Sequence, residues 1–166
     1  MPATTVKLGP GTLSIGEVGT EVDFTCQVTA AHVDWEVDAE DPTEVLCGET
    51  VPGERSYTSV LAGTLYQDLG VSTGIVAYSW QHKGEEVAFS FIPSTDAGDE
   101  VTGTVILDPL SVGGDEAGTN MTSDFEWAIV GEPTLTSGGV LVAGATGSEA
   151  SRRTKGAKEE AVGVGA

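Results

Sequence analysis

Residues 22–30, VDFTCQVTA, alternate strictly between apolar and polar side chains, and this pattern indicates a β fold. The apolar residues take the even positions and the polar ones the odd positions, which is the period of a half-buried β-strand. At Ala31 and His32 the phase slips by one, and within 33–37 the odd positions are apolar. Because such a slip moves side chains to the opposite face of a sheet, we predict a bulge or a tight turn there.

Further strands are predicted on both sides of one short helix. The strand segments are 57–65, 87–91, 101–107 and 125–129. Between the first two segments, Leu69, Thr73, Val76 and Trp80 recur at the three- and four-residue spacing of one helix face. We therefore predict a helix at about 68–83. Asp68 or Ser72 can cap its start, and Gly84 can end it. The fold class is therefore mainly β, an antiparallel β-sandwich or barrel with one short flanking helix.

The predicted core consists of the large apolar residues at in-phase positions of these elements. They are Phe24, Trp35, Val76, Trp80, Phe89, Phe91, Val105, Phe125 and Trp127. Three regions follow from composition: an N-terminal arm over 1–20, a β-sandwich domain over 21–133 with a long acidic loop at 38–56, and a Gly-rich C-terminal tail over 134–166. Connections longer than ~15 residues are usually functional or disordered, so the acidic loop needs an explanation.

The charge balance narrows the possible partners. The chain has 166 residues, with 26 acidic and seven basic side chains and a net charge of −19. Binding to nucleic acid phosphates requires clustered Lys and Arg, so specific DNA or RNA binding is not expected. No apolar run reaches the ~18 residues of a membrane-spanning helix, and residues 1–20 lack the apolar segment of a signal peptide. We therefore expect no membrane partner.

No arrangement of residues predicts catalysis, a metal site or a cofactor. His32 and His82 are the only histidines, and neither has a partner at metal or triad spacing. Cys26 is expected to be a packed free thiol, although a bridge to Cys47 is possible. The acidic loops at 96–100 and 113–120 can hold calcium loosely, but they lack the spacing of an EF-hand. We therefore expect a protein that is not an enzyme.

Acidic residues also occupy the polar faces of the predicted strands, notably at 34–38 and 124–126. A sheet face that carries many like charges repels itself, so it must face water or a partner that benefits from the charge. Two interpretations stay open. The face is either a solvated surface that keeps the protein soluble, or a surface that repels polyanions.

Taken in order, several segments resemble the major tail protein, or tail tube protein, of long-tailed, non-contractile bacteriophages. The resemblance runs from about Val22 to Pro133 and includes TCQVTAAHVDWEV, EVLCGETVPGERSYTSVLAGTLYQD, WQHKGEEVAFSFIP, GTVILDPLSVGGD and TSDFEW. It implies a small β-sandwich or barrel that forms hexameric rings, which stack into a hollow tube through which genomic DNA passes. Tube proteins of contractile tails and secretion systems share this architecture and remain an alternative.

The resemblance also implies roles for parts of this chain. The acidic loop would be the inter-ring stacking loop, and the arm and tail would lie across neighbouring subunits. The partners would be copies of this chain and the tail terminator, tape-measure and baseplate proteins of the same virion tail, assembled after synthesis in the host cytoplasm. The candidate stacking residues are Glu40, Asp41, Glu44, Glu49, Glu54 and Arg55. The candidate lumen-facing carboxylates are Asp34, Glu36, Asp124 and Glu126.

The alternative function is an acidic β-sandwich binding module. Its loops at 96–100 and 113–120 would be organised by calcium, and it would recognise a carbohydrate or a cell surface. Such a module would be a monomer that calcium stabilises, because a ligand selective for the folded state raises the melting temperature.

Overall fold

A computed structural model describes residues 2–143 and shows a mainly antiparallel β fold, as predicted. Within the described residues there is one α-helix, α1 at Ile75–Gln81. The strands are β1 Thr12–Ile15, β2 Val22–Asp23, β3 Val28–Ala39, β4 Thr43–Glu44, β5 Thr50–Val51, β6 Arg55–Tyr66, β7 Glu86–Ile92, β8 Glu100–Ile106, β9 Thr122–Ser137 and β10 Val140–Ala143. No helix in this part of the chain is both long and apolar enough to cross a membrane.

Strand β9 joins two sheets around one core. The strand order is β2-β1-β7-β8-β9-β6-β3, with β10 also paired to β9. The first half of β9 pairs with β6 and the second half with β8. Within the second half the register with β8 shifts, at a segment that contains Gly131 and Pro133. Gly131 has φ +73° and proline has no N–H to donate, so an irregular step in the ladder suits both residues.

The core is built from alternating positions of the strands. In β9, Phe125, Trp127 and Ile129 are buried, whereas the residues between them are exposed. Phe125 and Trp127 pack with ring centroids 4.7 Å apart, and Phe24 meets both rings edge-on at 6.3–6.4 Å. Buried leucine and isoleucine side chains that the sequence analysis did not select complete the core: Leu13, Ile15, Leu61, Leu65, Ile75, Leu107 and Leu110.

Two of the nine predicted core residues are not in the core. Trp35 is 48% exposed and Trp80 is 56% exposed, whereas the other seven are buried. Trp35 of β3 is paired with Ser59 of β6. This part of the β3–β6 ladder extends beyond the end of the β6–β9 pairing, so no second sheet covers Trp35. Trp80 lies on the outer side of α1, where its Nε1–H donates a hydrogen bond to the Leu110 carbonyl (2.8 Å).

The helix is shorter than predicted because the preceding residues form turns. Residues 68–74 precede α1, and Gly70 adopts φ +92°. The Asp68 carboxylate nevertheless accepts the free N–H groups of Ile75 and Val76 at 2.7 and 3.2 Å, so it caps the helix from seven residues upstream. A Cβ at Gly74 would overlap this carboxylate, and the close approach therefore requires glycine.

The predicted strand over 22–30 is wrong in its middle. Strand β2 ends at Asp23, whose carboxylate accepts hydrogen bonds from the Thr25 N–H (3.0 Å) and hydroxyl (2.6 Å). This local side-chain turn competes with strand pairing, and it leaves Cys26 exposed rather than packed. The predicted bulge at 31–32 is displaced as well, because the register shift between β3 and β6 lies between Val28 and Ala30.

The sheet also reaches into both predicted terminal regions. Strand β1 belongs to the predicted arm, where it pairs with β7 and buries Leu13 and Ile15. At the other end, β9 continues to Ser137 and turns into β10. The folded domain therefore extends past both predicted boundaries, at residues 20–21 and 133–134. The rest of the predicted tail, 144–166, lies outside the described residues.

Candidate functional site: an acidic sheet face and a projecting hairpin

The four carboxylates predicted to face a lumen share one face of the sheet. Asp34 and Glu36 of β3, and Asp124 and Glu126 of β9, all lie opposite even-numbered residues of β6. Even-numbered residues of one strand point to the same side, so these side chains point the same way. Asp38 is on the same side of β3, and all five residues are exposed. We call these five residues the acidic face.

The acidic face is tolerated because its charges are spread out. Neighbours on the same side of β3 are about 6.6 Å apart, and the acids of β3 and β9 are separated by the width of β6. In water, two unit charges at that spacing repel by about 0.6 kcal/mol, and physiological salt roughly halves this value. In water at physiological salt, the repulsion between neighbouring acids of the face is therefore modest.

Two acids of the face have polar partners within the monomer. His32 Nε2 lies 3.1 Å from Asp34 Oδ2. Across the strands, the Thr64 hydroxyl donates a hydrogen bond of 2.6 Å to Asp124. Among residues 2–143 the salt bridges involve only histidines, so no Lys or Arg neutralises the acidic face in this part of the chain. The face is negative throughout.

The predicted acidic loop is instead the end of a long hairpin. Strand β6 pairs with β9 only over Val60–Tyr66, but with β3 it continues as far as Arg55 opposite Ala39. The two-stranded ladder therefore extends five residues, about 16 Å, beyond β9. We call residues 35–59 the projecting hairpin.

The tip of the projecting hairpin is ordered by backbone hydrogen bonds. The Glu40 N–H donates to the Glu54 carbonyl at 2.9 Å, and β4 pairs with β5 beyond this point. The apex turn is closed by hydrogen bonds from the Val45 N–H to the Glu49 carbonyl (2.9 Å) and from the Gly48 N–H to the Val45 carbonyl (2.8 Å). The tip therefore presents a defined shape.

Apolar side chains on this hairpin stay partly or fully exposed in the monomer, although Trp35 and Tyr57 meet edge-on with ring centroids 6.5 Å apart. Trp35, Val37 and Tyr57 are 48–57% exposed and border a groove beside Ile129 of β9. Leu46, at the apex, is fully exposed. The only sequence signal for Leu46 was an apolar pair, 45–46, inside an acidic segment. The predicted stacking residues surround it, and all of them are exposed: Glu40, Asp41, Glu44, Glu49, Glu54 and Arg55.

The histidines do not form a catalytic arrangement with the other polar groups described. His32 meets Asp34 on the acidic face, and His82 Nδ1 lies 2.7 Å from Glu85 at the end of α1. Burial, with smaller contributions from Glu85 and Glu17, raises the pKa of Tyr78 above 10.0. A phenol is already protonated at neutral pH at its ordinary pKa, and the raised pKa of Tyr78 favours the protonated form further.

The cysteines and the two acidic loops show no metal-site geometry within residues 2–143. Cys26 and Cys47 are both free and exposed. No group of three or more His, Cys, Asp or Glu side chains in these residues is arranged to hold a metal ion. In the 96–100 loop, Asp99 and Glu100 instead accept hydrogen bonds from Ser137 and Ser90 at 2.7 and 2.6 Å, which tie the loop to β9 and β7.

Comparison with known proteins identifies a shared fold. Neither a protein-family model nor a curated protein matches the chain. A chain in a solved structure, described as the virion of a native gene transfer agent (GTA) particle, is similar with a TM-score of 0.52 and 15% sequence identity. The match covers 75% of this chain and 95% of that chain. At this level of identity, the similarity shows that the two chains share a fold.

Proposed function

We propose that this protein is a structural, non-catalytic subunit of a virion, and more specifically a tail tube protein whose rings stack into a tube. The observation that carries the proposal is the projecting hairpin, an ordered element whose apolar side chains remain exposed in the monomer. The chain of similar fold belongs to a virion particle, which supports the same role.

The hairpin has the properties of an assembly element. An exposed aromatic or leucine side chain gains about 1.5–3 kcal/mol when it is fully buried, and this gain is available here only through another molecule. Residues Trp35, Val37, Tyr57 and Leu46 together can therefore provide the apolar centre of an interface. In the proposed tube, the hairpin contacts the next ring.

Strand β3 provides a second route to assembly. It is a 12-residue strand at the end of the sheet order, so its outer edge presents unpaired backbone groups. Long edge strands pair readily with other chains unless something covers them. In a ring of six subunits, a neighbouring copy would cover this edge, as expected for a closed heterologous assembly.

The acidic face then lines the bore of the tube. A bore lined with Lys or Arg would hold DNA at each phosphate, whereas carboxylates offer no affinity for it. Screening limits the repulsion to roughly 8 Å at physiological salt, so it acts only near the wall. DNA would pass without specific binding, and the tail terminator, tape-measure and baseplate proteins would be the other tail partners.

Electron microscopy of a hairpin variant tests this proposal. Residues 40–54 are replaced by Asn-Gly, a two-residue turn that can join the paired residues Ala39 and Arg55. Wild type should form rings or hollow tubes in negative stain as its concentration rises. The variant should fold, as judged by circular dichroism, but should not stack, because it lacks the hairpin tip.

Three outcomes would contradict the proposal. Tubes formed by the variant would remove the hairpin tip from the stacking interface. Wild type that stays monomeric at every concentration would argue against a tube subunit. A wild-type monomer whose melting temperature rises sharply with calcium would favour the binding module instead.

A further inference from the structure

A second exposed apolar surface lies beside α1. Leu69, Val71, Trp80 and Val112 are 43–56% exposed and line one groove. We call these four residues the helix groove. Its space, about 350 Å³, is open to solvent, and its lining is mostly apolar, with Asp68 and Gln81 as the polar side chains. Like the apex of the projecting hairpin, it has no partner in the monomer.

The helix groove and the hairpin apex lie at opposite ends of one strand. Strand β6 begins at Arg55, directly after the projecting tip, and ends at Tyr66, three residues before Leu69. Its 12 residues span about 36 Å. A contact between the apex of one copy and the groove of another therefore joins two different surfaces, one from each end of the molecule. Such a contact leaves one free apex and one free groove, so it can repeat without limit.

Charge favours this contact over other pairings of the two surfaces. The only charged side chain that lines the helix groove is Asp68, whose carboxylate oxygens are occupied by the Ile75 and Val76 N–H groups. The apex, 45–48, is uncharged but is flanked by Glu44 and Glu49. Apex against apex would bring these acids together, whereas the groove presents no charged side chain other than the already occupied Asp68.

We propose that the apex of the projecting hairpin of one copy docks into the helix groove of a second copy, with Leu46 as the inserted side chain. This proposal rests on the proposed function, since it names the surface that receives the hairpin in the next ring. The partner is a second copy of this chain, and the interface is heterologous.

Complementation between two variants tests the proposal. Leu46→Asp disables the apex and leaves the groove intact, and Val71→Asp does the reverse. Both positions are exposed, so both variants should fold, with melting curves close to that of the wild type. Each variant alone should lose stacking, with an apparent association constant at least about tenfold lower. Val18→Asp, at a 98% exposed position outside both surfaces, is the matched control and should stack normally.

The decisive sample is the equimolar mixture of the two variants, one carrying an affinity tag. The intact apex of Val71→Asp can enter the intact groove of Leu46→Asp, so the mixture should form stacked pairs that do not extend. Sedimentation velocity and capture through the tag measure this. Failure of the mixture to pair would overturn the proposal, and so would normal stacking by Val71→Asp alone. Wild type that forms rings and tubes while Val71→Asp behaves identically would overturn this inference and leave the proposed function standing.

Discussion

Replacement of Trp127 by alanine tests the core around which both surfaces are built. Trp127 is 1% exposed, and its Nε1–H donates a 3.1 Å hydrogen bond to the Asp108 carbonyl. A buried tryptophan removes up to about 250 Å² from water, which at about 25 cal/mol per Å² sets an upper limit near 6 kcal/mol. Because alanine keeps part of that burial, we expect a loss of about 3–5 kcal/mol in the free energy of unfolding.

The matched control for this prediction is Trp35→Ala. Trp35 is 48% exposed on the projecting hairpin, so its replacement loses about half the buried area and should cost about 2 kcal/mol. Urea unfolding, followed by far-UV circular dichroism below the concentration of assembly, measures both losses. If Trp127→Ala does not fold, Trp127→Phe keeps most of the ring volume and should lose about 2 kcal/mol, including the hydrogen bond.

The order of the two losses decides whether the reasoning holds. A Trp127→Ala loss below about 1.5 kcal/mol, or one smaller than that of Trp35→Ala, would refute the placement of Trp127 in the core. Trp35→Ala, which should destabilise the monomer less, should nevertheless affect assembly. Trp35→Ala should weaken stacking while the monomer stays folded, because Trp35 faces outward on the hairpin.

Three further predictions concern single features of the structure. Gly63→Ala should cost about 3 kcal/mol in urea unfolding, because the new Cβ would overlap the Ala30 carbonyl oxygen of the adjacent strand; an unchanged midpoint would contradict this close approach. Asp68→Ala should cost about 1–2 kcal/mol in the same assay, because two helix N–H groups lose their acceptor; no loss would show that water replaces the carboxylate. Tubes with Lys at both Asp124 and Glu126 should bind duplex DNA, more weakly as salt rises in a filter-binding assay; absence of binding would place the acidic face away from the bore.

The local alternation in the sequence was enough to predict the fold class and the sides of several strands. In β9, the alternation of apolar and acidic residues correctly separated Phe125 and Trp127 from Asp124 and Glu126. This succeeds because successive side chains of a strand point to opposite faces, and only one face of this sheet is buried. The orientation of the acidic face on β9 was therefore readable before any tertiary information.

The same alternation cannot show whether a second layer covers a strand. Trp35 is in phase with Ala31, the buried residue of β3, yet it is exposed because β9 has already diverged from β6 at that level. Likewise, the acidic loop becomes a hairpin because residues 16 positions apart in sequence, Ala39 and Arg55, are paired in space. Periodicity reflects only near neighbours along the chain. It therefore cannot predict the exposure of Trp35 or the pairing of Ala39 with Arg55.

By itself, the sequence determined a mainly β chain with one short helix, a charge of −19 and acidic residues on the polar sides of its strands. Only the tertiary structure decided that acids from β3 and β9 share one face, that the hairpin projects beyond the sheet, and that its apex lies at the opposite end of β6 from the helix groove. The physical reason is that sequence patterns record which side of an element is apolar. Strand register and the ends of the pairing then decide which of those sides are covered and which remain free to bind another copy.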